Sequence, residues 1–170
     1  MAIITTPGDL NANSYVSILE ASKYFENRPY AEAWDSISNQ EAFLITATNQ
    51  IDWFISFKGF KTIEAQSLSW PRDGVYDEEN GVVLPSHIIP TIVKQATFEL
   101  ILSSLEDDRM FNEDLAGLEK IKVGPIELVT NKSGSWQPTK DVIPNVVHAI
   151  LSSVKASGNT STMVYPVARF

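Results

Sequence analysis

The 170-residue sequence predicts a mainly α fold: a small helical bundle with a β-hairpin insertion, a long ordered loop and an extended carboxyl-terminal tail. Three observations predict it. Ser17 and Ser38 each stand three residues ahead of a glutamate, Glu20 and Glu41, the reciprocal arrangement that satisfies free backbone N–H groups at a helix start. Apolar residues then recur at intervals of three and four, which places them on one helical face. Two four-residue runs around Gly124-Pro125 alternate with period two instead, as strands do.

The first helix is predicted over about 18–27, with Ile18, Ala21, Tyr24 and Phe25 on one face. Arg28-Pro29 closes it, because the residue before proline is pushed out of helical angles. A second helix, about 39–57, carries Phe43, Leu44, Ala47, Ile51, Trp53, Phe54 and Ile55 as a broad apolar stripe, and Gly59 supplies a permissive stop. Residues 61–85 contain Pro71, Gly74, Gly81 and Pro85, so an irregular excursion is expected, clamped by Trp70, Val75, Tyr76 and Leu84 with a short strand at 82–84. Within it Trp70, Pro71 and Arg72 form the structural motif: Trp70 is expected inside, with Arg72 bonding carboxylates or carbonyls.

Pro90 suits the first turn of a third helix, whose residues Ile92 to Leu105 are apolar on most sides. The hairpin follows at about 120–130, then a polar link and a last helix over about 143–156. The expected core includes Trp53, Phe54, Phe98, Ile101 and Val147. The chain divides into a leader (1–16), a helical domain (17–157) and an extended tail (158–170), in which Val164, Tyr165, Pro166, Val167, Arg169 and Phe170 suit docking on a partner.

Composition narrows the function. With no cysteine there is no disulfide, thiolate nucleophile or thiolate metal site. The amino terminus has no basic segment followed by an apolar one, so no signal peptide is read there and synthesis in the cytoplasm is expected. No apolar run approaches the roughly 18 residues of a membrane span. A net charge of -8 disfavours broad phosphate neutralisation and predicts negligible affinity for single-stranded DNA at physiological salt.

No phosphate-loop, dinucleotide, hydrolase or zinc-protease motif occurs, and His87 and His148 stand apart on apolar segments, so no catalytic, cofactor or metal residue is assigned and no enzyme is expected. The acidic groups at 77–79 and 106–108 lack the spacing of a calcium loop and read as solvated turns. Trp53, Phe54, Phe57 and Phe60 beside Lys58 and Lys61 are the ingredients of a single-strand binder, although a helix end also needs such residues for its own core.

The segments Asn13-Ser14-Tyr15-Val16, Ala47-Thr48 to Ile51-Asp52, Gly59-Phe60-Lys61, Gln66 to Arg72, Ile89-Pro90 and Ala96 to Leu100 resemble, in this order, a bacteriophage family labelled DnaT-like single-stranded-DNA-binding protein. Gln66 to Arg72 is the most specific piece. Proteins of this kind also look like the adaptors of phage head-to-tail connectors. That likeness implies a structural subunit of the virion neck, with portal protein and a tail or stopper protein as partners. It further implies a homo-oligomeric ring of twelve, with double-stranded DNA passing through without sequence-specific contact. The alternative is a single-stranded-DNA-binding replication accessory protein. The acidic charge favours the connector.

Overall fold

The computed structural model describes residues 2–77, 80–105, 120–123, 126–129 and 142–156. Helix α1 spans Ile18–Phe25 and starts as its capping box dictates: the Ser17 amide donates to Glu20 Oε2 at 2.8 Å, and the Glu20 amide donates to Ser17 Oγ at 3.3 Å. It ends sooner than expected, tightening through i→i−3 bonds from the Asn27 and Arg28 amides to the carbonyls of Tyr24 and Phe25. The short helix α2, Ala33–Ser36, has no signature in the sequence. It tucks Trp34, 1% exposed, beneath α1, where its indole N–H donates to Ser22 Oγ at 3.1 Å.

Helix α3 spans Gln40–Phe54 and is capped by the Asn39 side chain, which accepts from the Ala42 amide, in place of the expected Ser38–Glu41 box. Its inner face is Leu44, Ala47, Thr48 and Ile51, continued beyond the helix by Ile55. Trp53 and Phe54 are therefore not core: they are 65% and 50% exposed. At roughly 100° per residue Trp53 sits about 200° from Ile51, on the far side of the helix, and Phe54 lies at the edge of the stripe.

Strands β1 (Phe60–Lys61) and β2 (Arg72–Asp73) pair antiparallel, Phe60 opposite Asp73 and Lys61 opposite Arg72, and so close the loop between them. A second ribbon pairs β3 (Tyr76–Asp77) with β4 (Val82–Val83), within the region where a short strand is expected. Helix α4, Thr91–Ser104, takes Pro90 as its N-cap and packs on α3 and on α5. Strands β5 (Lys120–Val123) and β6 (Ile126–Val129) form the expected hairpin, with Val123 opposite Ile126. Helix α5 is confined to Asn145–Ile150 and tightens into a 3-10 turn at Leu151–Ser153.

The result is a helix-rich fold with small antiparallel ribbons. Phe98, Ile101 and Val147 are buried at its centre. The polar-looking leader contributes too: Ala12, Ser14, Tyr15 and Val16 are buried, and Ser67 Oγ donates to the Ala12 carbonyl. The tail residues Val164, Tyr165, Pro166, Val167, Arg169 and Phe170 lie outside the described residues, as do 78–79 and 106–108 of the acidic groups.

Candidate nucleic-acid interface

Where α3 ends, the chain brings three large rings to the surface within eight residues. Trp53 and Phe54 close the helix and Phe60, 80% exposed, opens β1. Phe57 turns the other way: it is buried and meets the Trp70 ring edge-on, with centroids 5.5 Å apart. The same segment holds Lys58 and Lys61. Sequence reasoning named all six residues and gave the rings to the core; of the four rings Phe57 is buried and the other three are exposed.

The turn that presents Phe60 is held from both sides. On one, the Lys58 amide donates to the Val154 carbonyl at 2.9 Å and the Ala156 amide to the Ser56 carbonyl at 2.8 Å, so the chain after α5 runs beside 56–58. On the other, the Arg72 guanidinium donates to the carbonyls of Lys58 at 2.7 Å, Gly59 at 2.6 Å and Ser69 at 3.2 Å, with a longer contact to Phe57 at 3.4 Å. Gly59 has a φ of +70°, and a Cβ there would fall 2.2 Å from the Asp73 carbonyl oxygen.

The loop closed by β1 and β2 is built on polar contacts. Gln66, buried, donates through Nε2 to the carbonyls of Leu68 and Pro71 and accepts from the Ile63 amide. Its own carbonyl accepts from Lys61 Nζ at 3.2 Å, which steadies that ammonium over the loop. Trp70 is buried and its peptide to Pro71 is cis. Asp52 ties the loop to α3: its carboxylate accepts from the Tyr15 hydroxyl and, at 2.8 Å, from the Ser69 amide. Burial pushes the Asp52 carboxyl above the ordinary range and, with Asp52 beside it, raises the Tyr15 hydroxyl well above its own.

A second polar centre lies elsewhere. Glu99 on α4 accepts from Arg28 Nε at 2.8 Å, from Arg28 Nη2 at 3.0 Å and from the Tyr24 hydroxyl at 2.6 Å. The Arg28 pair holds the Glu99 carboxyl below the usual range, while burial and the carboxylate push Tyr24 up to about 12. Glu20 is likewise paired, with Lys94 at 2.6 Å.

Exposed rings with ammonium groups nearby stack bases and neutralise phosphates; stacking contributes about 1–3 kcal/mol per base and tolerates any sequence. His87 is an exposed side chain, and His148 Nδ1 lies 3.3 Å from Nζ of Lys155, which pairs with Phe57. Among the described residues no three acidic or histidine side chains converge to hold a metal ion.

A family described as "Putative DnaT-like ssDNA binding protein" matches residues 1–169, and the chain belongs to it. No curated protein and no solved structure matches. This overturns the connector expectation. The match across nearly the whole chain is to a single-stranded-DNA-binding description, and nothing supports a likeness to connector adaptors. Portal and tail or stopper proteins, the twelve-fold ring and channel DNA are withdrawn as partners, and with them the portal role of the tail. The physical error lay in letting a whole-chain charge of -8 decide a local question.

Proposed function

We propose that this chain is a non-enzymatic single-stranded-DNA-binding protein, an accessory to replication acting in the bacterial cytoplasm, whose strand contacts are Trp53, Phe54 and Phe60 with Lys58 and Lys61. One observation carries it: three large rings stand exposed within eight residues beside two lysines, in a member of a family with that description. Large apolar side chains gathered at a surface mark interaction sites. Two lysines neutralise few phosphates, so stacking supplies most of the affinity and the dependence on salt is shallow, with a slope of about −0.7 per phosphate neutralised.

Fluorescence anisotropy of a labelled oligothymidylate at low salt tests this. The wild type is expected to bind, and Phe60→Ala or Trp53→Ala to bind about 5- to 150-fold more weakly, as one lost stack predicts. Absence of wild-type binding at low salt, or equal binding by both ring variants, contradicts the proposal.

A further inference from the structure

Arg72 closes the most specific stretch of the chain, and in a single-strand binder an arginine there invites assignment as a phosphate ligand. Its geometry says otherwise. All three guanidinium nitrogens donate to backbone carbonyls, Nε to Lys58, Nη2 to Gly59 with a longer contact to Phe57, and Nη1 to Ser69. Three successive carbonyls, 57 to 59, converge on one planar fork. Such convergence requires the turn to curl inward, which Gly59 permits through its positive φ. The next two residues are Phe60 and Lys61, and Lys61 is the β-partner of Arg72 itself.

Building on the single-strand reading above, we infer that Arg72 is a positioning residue: it folds the 57–59 turn so that Phe60 and Lys61 face the strand, and it contacts no phosphate. Lysine cannot substitute for it, because an ammonium lacks the fork that reaches several carbonyls at once.

The test uses the full chain and a labelled oligothymidylate titrated at several salt concentrations. Arg72→Lys keeps the charge and is expected to bind about tenfold more weakly, with the salt slope of the wild type. Lys61→Gln is expected to lose about 0.7 from that slope, as removal of one phosphate contact does. Phe60→Ala should cost far less in the Arg72→Lys background than alone, since its ring is already misplaced. Should Arg72→Lys fold poorly, Gly59→Ala disturbs the same turn without touching charge and should weaken binding at constant slope.

Wild-type affinity in both turn variants overturns the inference. So does a full Phe60→Ala penalty in the Arg72→Lys background. If the wild type binds and Phe60→Ala weakens it while Arg72→Lys does not, only the role of Arg72 falls; if the wild type does not bind, the functional reading falls with it.

Discussion

Two groups of aromatic rings in this molecule use the same residue types for opposite ends. Tyr24, Phe25, Trp34 and Phe98 pack on one another between α1, α2 and α4: Tyr24 stacks on Phe98 with centroids 4.6 Å apart, and Phe25 meets Trp34 at 5.0 Å. Trp53, Phe54 and Phe60 stand exposed at the other end of α3 and beyond. Side-chain chemistry does not distinguish the groups. Angular position does: the first lies where helices face each other, the second where a helix and a turn face water. Rings of the first kind stabilise the fold, and rings of the second are available to a ligand.

The comparison breaks most visibly on stability. Trp34→Ala removes a fully buried indole and leaves a cavity, and is expected to cost about 3–5 kcal/mol. Trp53→Ala should stay within about 0.5 kcal/mol of the wild type, as surface substitutions do. Thermal melts of the two variants decide this, and comparable losses would erase the distinction. Binding sharpens the contrast in reverse: Trp53→Ala should lose one stack, about 1–3 kcal/mol, whereas a conservative change within the packed group, Phe25→Leu, should leave the affinity for an oligonucleotide unchanged.

The two polar centres that flank these groups respond to acid with opposite signs. The Glu99 carboxyl is held low by Arg28, so its folded value lies below its unfolded one. Its contribution is complete above the unfolded value, about 4.3, and is lost as pH falls through the folded value. Asp52 is pushed up by burial, so its ionised form costs stability above its folded value, and that cost is relieved as pH falls through it. Chemical denaturation from pH 7 to 3 should therefore show a weaker acid loss in Glu99→Gln and a stronger one in Asp52→Asn than in the wild type. The smallest effect is at the start of α1, where Ser17→Ala should cost about 1 kcal/mol by removing the cap, measurable as a shift in the denaturation midpoint.

Much of the scaffold is legible in the sequence because its signals are local. Ser17 and Glu20 announce α1, Pro90 announces α4, and the period-two runs about Gly124-Pro125 announce the β5–β6 hairpin. What escapes is non-local or too short to have a period: α2 is four residues long, and β1 and β2 are two residues each, paired across the loop from Phe60 to Asp73. The candidate site was legible as a list of residues and illegible as a surface. Trp53 looks apolar enough for a core, and only counting its angle from Ile51 places it outside. For Arg72 the sequence offers carboxylates or carbonyls as partners, but which ones depends on closure of the β1–β2 ribbon.

The central claim is that the exposed rings at the end of α3 stack on a single strand. Trp53 reports on this directly, since of the described tryptophans Trp34 and Trp70 are buried while Trp53 is open to solvent; Trp136, outside the described residues, is replaced by phenylalanine in the background used for both proteins below. Intrinsic tryptophan emission should be followed as oligothymidylate is added at low salt, for the wild type and for Trp53→Phe, which keeps a ring but removes the reporter. Strong quenching in the wild type that is largely lost in Trp53→Phe, with anisotropy showing that the variant still binds, is the predicted result; quenching undiminished in Trp53→Phe, or none in the wild type at saturating strand, would contradict it.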